Sequence, residues 1–103
     1  MKTLSDFKRE LKTHKNWLCT HILNGVERKP EVRIVEKVQN NSCAFKRRED
    51  QVIEYCNGGR TPKDCVWLDF PNKEQIEDIG EYHIFIKNYD DENGSHYIRY
   101  EKV

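Results

Sequence analysis

The sequence predicts an α+β domain in which an N-terminal helix packs on a small antiparallel β-sheet or open barrel, and three observations predict it. A chain of 103 residues has material for one hydrophobic core and not for two, so residues 1–103 are read as a single domain. Helical spacing of apolar residues marks the N-terminus, at Leu4, Phe7 and Leu11. From Trp17 onward the pattern changes to short alternating or β-branched runs, divided by Asn-Gly, Asn-Asn and Gly-Gly turn signals.

Thr3 followed by Asp6 has the form of a capping box, which places a short amphipathic helix over residues 4 to 12 with its apolar stripe toward a sheet. In the next run Trp17, Cys19, His21 and Leu23 point to one side of a strand and Leu18, Thr20 and Ile22 to the other. Asn24-Gly25 marks a turn, residues 26 to 31 a polar loop, and Val32, Ile34, Val35 and Val38 the following strand. Asn40-Asn41 are assigned the positive-φ positions of a hairpin whose return strand carries Cys43, Ala44 and Phe45. Lys46 to Asp50 reads as a solvated loop. Val52 to Cys56 and Cys65 to Phe70 read as strands joined by the turn-forming segment Asn57 to Asp64. A helical turn is expected over Asn72 to Ile79, then strands over Tyr82 to Tyr89 and His96 to Val103 around a turn from Asp90 to Ser95.

Composition narrows the function. Eleven aromatics are enough to seed a core in a chain that is 35% charged. Net charge is zero, yet residues 1–50 carry 12 Lys/Arg against 7 Asp/Glu and residues 51–103 carry 6 against 11, so the halves stand at +5 and −5. The two halves are expected to neutralise each other in the fold. A neutral total argues against a wholesale DNA mimic and against a non-specific nucleic-acid binder. The chain lacks a run of about 18 apolar residues, and its charged N-terminus has no secretion-signal pattern. It is therefore expected to be soluble and cytoplasmic, without a membrane partner and with reduced cysteines or a metal site.

The one specific chemical constellation is cysteine and histidine. Cys19 and His21 share a strand face, while Cys56 and Cys65 stand at the two feet of a glycine-rich loop. Four such ligands suit a closed tetrahedral zinc site that would tie the first strand to a distant hairpin, a structural role. The eight residues between Cys56 and Cys65 exceed the usual ligand spacing, so unliganded thiols and a Cys56–Cys65 disulfide stand as alternatives, with His14 and Cys43 as substitute ligands. His83 and His96 read as ordinary strand residues. No G-x-S-x-G or phosphate-loop pattern occurs, and Asp69, Glu74, Glu77 and Asp78 read as a solvated face, so the chain is expected to be non-enzymatic. Phe45-Lys46-Arg47-Arg48, together with Arg28 and Lys29, supports an alternative reading as a small zinc-containing nucleic-acid-binding module. Trp17, Trp67, Tyr97 and Tyr100 are core candidates, any exposed one being a natural interface anchor.

Three segments, Met1-Lys2-Thr3-Leu4-Ser5-Asp6-Phe7-Lys8, Lys37-Val38-Gln39-Asn40-Asn41-Ser42-Cys43-Ala44-Phe45-Lys46 and Trp67-Leu68-Asp69-Phe70-Pro71, resemble those of small accessory proteins of phages and mobile elements. In size and character the chain is similar to type II-A anti-CRISPR proteins, some of which bind metal. That resemblance implies a protein of the bacterial host cytoplasm that binds a Cas9 effector and blocks target-DNA loading or cleavage with no chemistry of its own. Residues 69–92 carry eight acidic and two basic side chains, which places the expected partner face at Asp90, Asp91 and Glu92.

Overall fold

The computed structural model describes residues 3–70, 76–79 and 84–103, with 76–79 and 84–87 described as backbone alone. The described residues form one helix, α1 (Leu4–Thr13), followed by ten strands: β1 (Asn16–Leu23), β2 (Val26–Glu27), β3 (Glu31–Val38), β4 (Ser42–Lys46), β5 (Tyr55–Cys56), β6 (Thr61–Pro62), β7 (Val66–Asp69), β8 (Ile76–Ile79), β9 (Ile84–Asp91) and β10 (Gly94–Lys102). The main sheet is antiparallel and open, in the order β7-β4-β3-β1-β10-β9-β8 with β2 added beside β1, and β5 and β6 form a separate two-stranded sheet. The predicted helix on an antiparallel sheet is therefore present. Among the described residues, no helix is long and apolar enough to cross a membrane.

Local chemistry accounts for the helix. The Thr3 hydroxyl accepts from the Asp6 N–H, and the Asp6 carboxylate accepts from the Thr3 N–H, satisfying two donors that a helix start otherwise leaves open. Phe7 and Leu11 are fully buried. The polar side of α1 is tied down as well: Lys8 Nζ donates to the Asn40 carbonyl at 2.7 Å, and Lys102 Nζ pairs with Glu10 at 2.7 Å.

Aromatic packing bends the sheet over this helix. Phe7 meets Trp17 edge-on at 5.4 Å between centroids and approaches Tyr100 at 6.3 Å. Phe45 of β4 stacks on Tyr100 of β10 at 5.5 Å. Two strands, β3 and β1, lie between those two, which in a flat sheet would hold them about 14 Å apart at the usual strand spacing. The sheet is therefore strongly curled, with Cys43, Leu68 and Leu11 completing the core on its concave side. β1 forks along one edge: Asn16 to Cys19 pair with β3, whereas Ile22 and Leu23 pair with β2. Its other edge pairs with β10 from Trp17↔Lys102 to Leu23↔His96.

Several expectations are corrected. Residues 76–79 form strand β8 and not a helical turn, with 71–75 and 80–83 outside the described residues. Val26–Glu27 lies in a short strand within the predicted loop. Val52, Ile53 and Glu54 are not in a strand, and Val52 is 88% exposed; with no sheet neighbour to cover it, a β-branched residue does not make a strand. Asn40 and Asn41 do not take positive φ; Asn24, Asn57 and Asp64 do. The β3–β4 connection is closed instead by Gln39 N donating to the Ser42 carbonyl and the Ser42 hydroxyl to the Gln39 side chain. The turn between β9 and β10 is tighter than predicted, since Asp90 and Asp91 belong to β9.

Thr20 is fully buried, and its hydroxyl has no hydrogen-bond partner among the described residues. A buried, unmatched hydroxyl opposes folding. Thr20→Val is therefore expected to hold or raise stability by up to about 1 kcal/mol, whereas Phe7→Ala is expected to cost about 3–5 kcal/mol. Urea unfolding of both variants checks the pair of signs.

Candidate functional site

Along β1 and β10, helix α1 covers the concave face around Trp17 and Tyr100. Further along β1 and β10 the same face carries Cys19, His21 and Ile98 and opens into a pocket of about 300 Å³. Tyr100 forms its inner end, and the curl of the sheet brings Val66 and Trp67 of β7 to its wall. The fork in β1 supplies the opposite wall. Where the chain leaves β2 for β3, the Arg28 N–H donates to the His21 carbonyl at 2.9 Å, so Arg28 and Lys29 stand beside the opening, followed by Glu31 and Arg33.

The pocket is cationic. Arg28, Lys29 and Arg33 line it against one carboxylate, Glu31, which is already ion-paired with Arg33. Arg33 is mostly buried, and its Nε has no acceptor among the described residues. A second hollow beside the first is lined by Arg33 and Arg47 with Glu31 and Val32. Trp67 keeps 38% of its surface exposed, whereas Trp17 and Tyr100 are buried. Arg9, Arg33 and Arg48 pair with Asp6, Glu31 and Asp50, their near neighbours in sequence, while Arg99 with Glu27 and Lys102 with Glu10 join the two halves of the chain. Of the predicted basic set, Arg28, Lys29 and Arg47 gather around Arg33, while Lys46 is held by the Glu49 carbonyl and Arg48 by Asp50.

A hydrogen-bonded chain of three side chains ends at this pocket. His96, on β10, is buried. Its Nε2 lies 2.7 Å from an Asp91 carboxylate oxygen, and its Nδ1 lies 2.9 Å from His21 Nε2. A carboxylate only accepts, so His96 donates to Asp91 through Nε2. In a neutral His96 the other nitrogen then accepts from His21 Nε2–H. Tyr89 stacks on the His96 ring at 4.5 Å and His21 lies parallel to it at 5.1 Å, which fixes the ring plane. The bond from His96 holds Asp91 below the ordinary carboxylate range. Burial first, then the neighbouring His96 and Arg28, push His21 below the usual histidine range.

The predicted zinc ligands lie on separate parts of the fold. Cys19 and His21 share the pocket face, as their spacing predicts. Cys56 lies on β5, whose Tyr55 hydroxyl donates to Glu36 of β3, whereas Cys19 pairs with Glu31 at the other end of that strand. Those two β3 residues are separated by about 16 Å of extended chain. Cys65 lies just before β7, with its thiol 3.6 Å from the Lys63 carbonyl. Among the described residues, no group of three or more His, Cys, Asp or Glu side chains is placed to hold a metal ion. Of the substitutes, His14 contacts the Val103 carbonyl and Cys43 is buried in the core. Burial raises the Cys19 and Cys65 thiols and takes Cys43 to about 12, so these remain thiols at neutral pH, the reverse of an activated nucleophile.

Asp90, Asp91 and Glu92 are exposed at the β9–β10 tip. They are not equivalent, because Asp91 is engaged with His96 and Asp90 accepts from the Ser95 hydroxyl at 2.7 Å. The tip is braced by Asn24, whose side chain accepts from Ser95 N and donates to the Asn93 carbonyl. His83 lies outside the described residues, as do Glu74 and Pro71. Comparison of the chain with protein-family models, with curated proteins and with solved structures finds no match.

The lowered pKa of Asp91 has a definite sign in stability. A carboxylate held below its unfolded value stabilises the fold above that value, and the contribution is lost as pH falls. The difference in urea midpoint between the native chain and Asp91→Asn is therefore expected to be present at pH 7 and to close as pH falls below the reference value of 3.8.

Proposed function

We propose that this domain works by binding, without chemistry of its own, and that its working surface is the cationic pocket, which takes an anionic, base-bearing partner of the single-stranded nucleic-acid class. The observation that carries the reading is the grouping of Arg28, Lys29 and Arg33 around one hollow that also holds a partly exposed tryptophan. Cations neutralise phosphates and an aromatic face stacks on a base, the two elements of single-strand recognition. A chain of zero net charge is poorly suited to coating nucleic acid at large, but a local cluster of this kind suits a short, defined contact. The experiment is oligonucleotide binding measured across salt concentration. Three phosphate contacts predict a slope of log K against log salt near −2, reduced in magnitude by about 0.7 in Arg28→Ala or Lys29→Ala. Trp67→Ala is expected to lose about 1–3 kcal/mol of affinity. No retention at about 50 mM salt, where such contacts are strong, would sink the reading.

A second reading, inhibition of a Cas9 effector, rests on resemblance and on one observation, the exposed acidic tip at Asp90, Asp91 and Glu92. A braced acidic hairpin suits the basic channel in which such an effector holds guide and target strands. Because Asp91 is bonded to His96, the informative variant is Asp90→Lys with Glu92→Lys, which leaves that bond in place. Loss of co-purification with the effector is expected; unchanged affinity removes this surface from consideration. Structural zinc on Cys19, His21, Cys56 and Cys65 belongs to the same reading and requires the β5–β6 hairpin to approach β1. Elemental analysis of the same protein, purified without chelator, decides it: one zinc per chain that is lost in Cys56→Ser supports the set, and no zinc retires it.

A further inference from the structure

Arg33 belongs to two hollows at once. It lines the cationic pocket with Arg28 and Lys29, and it lines the second hollow with Arg47. The sheet register explains the second meeting. β3 and β4 pair as Val35↔Phe45 and Ile34↔Lys46, so one further step of the same ladder sets Arg33 against Arg47 just past the end of β4. Residues directly opposite in an antiparallel pair present their side chains to one face, about 5 Å apart at Cβ, and two like charges so placed oppose the fold.

The second hollow does little to relieve that repulsion. Its one carboxylate, Glu31, is already held by Arg33. Arg47 donates from one Nη to the Asp64 carbonyl at 2.7 Å and has no carboxylate partner among the described residues. A guanidinium carries five N–H donors, so most of those on Arg47 are open to a ligand. Arg33 Nε is buried and likewise has no acceptor among the described residues.

Together the two hollows present four cations, Arg28, Lys29, Arg33 and Arg47, against the single carboxylate of Glu31, a net charge of +3. A lone phosphate fills one hollow and, on Arg33, only exchanges one anion for another. A phosphodiester strand carries one charge per unit and reaches both hollows, and once its first phosphate is seated the second binds as an intramolecular event. The Glu31 side chain is 61% exposed, so it turns to water as the strand takes its place, and no buried charge is left unpaired.

We propose that the two hollows form one track for consecutive internal phosphates of a single strand, with Arg47 holding a second phosphate site and Arg33 the joint between the sites. The proposal rests on the nucleic-acid reading and adds to it a second site and a minimum length, that of a strand with two internal phosphates.

The test is fluorescence anisotropy of a labelled octathymidylate titrated with the whole chain across salt concentration. With the second site engaged, a fourth contact predicts a slope of log K against log salt near −3, in place of about −2 for the pocket alone, and Arg47→Ala is expected to return it to about −2. Arg48→Ala is the control, because Arg48 pairs with Asp50 and lines neither hollow; there the slope is expected to stay near −3. Should Arg47→Ala not fold, Val32→Glu puts a carboxylate into the second hollow from an exposed position and is expected to weaken binding about tenfold. A slope near −2 in the native chain that Arg47→Ala leaves unchanged overturns the second site and leaves the nucleic-acid reading of the pocket standing. An equal loss of slope in Arg47→Ala and Arg48→Ala also overturns it, since diffuse attraction then accounts for the effect. No binding of the strand at about 50 mM salt, or binding of a hexaglutamate peptide in its place, removes the nucleic-acid reading and this proposal with it.

Discussion

The stack of Phe45 on Tyr100 is the contact on which the rest of the molecule depends. It joins side chains from strands separated by two others, and only a strongly curled sheet permits it. Phe7 from α1 fills the curl against Trp17 and Tyr100, so the helix acts as the filler of a concave surface. Aromatic rings suit this task because each buries a large area and tolerates edge-on as well as stacked contact. A ten-residue helix is too short to cover the whole concavity. The pocket is the part of the core face that it leaves open.

Topology decides which side chains meet there. The fork in β1 makes the chain cross its own strand edge at Arg28, which delivers two cations to the hollow within three residues. The β1–β10 register sets His21 opposite Ile98 and Leu23 opposite His96, bringing the two histidines into diagonal contact on one face. The short β9–β10 turn folds Asp91 back to His96. Cation wall, histidine pair and carboxylate thus come from three separate stretches of sequence, and the antiparallel ladder alone assembles them.

This explains what could be read in advance and what could not. The helix was legible because a capping box and an apolar stripe are local signals, and β1 because strand alternation is local as well. The shared face of Cys19 and His21 followed from that alternation. The partnership of His21 with His96 did not, since it depends on a register between strands about 75 positions apart, and His96 alone reads as an ordinary strand residue. Arg33 was passed over for a similar reason: its importance comes from the wall it joins and not from its neighbours in sequence. The stretch from Val52 was misread because β-branched residues signal a strand only where a sheet exists to receive them. Asn40-Asn41 carried a genuine turn signal, but a hydrogen bond between Gln39 and Ser42 closes that connection without positive φ.

The position of β1 bears on how the chain reaches this state. It precedes every other strand of the sheet in sequence, yet one of its edges is completed by β10, with Trp17 beside Lys102. Pairing across such a span requires closure of a long loop before any contact stabilises it, and topologies dominated by distant pairings fold slowly. On the ribosome the strand at the centre of the sheet must therefore wait, with one edge open, until nearly the whole of residues 1–103 has emerged. During that interval α1 can settle on β3 and β4, but the histidine pair, its carboxylate and the inner end of the pocket do not yet exist, so this surface is among the last parts of the molecule to form.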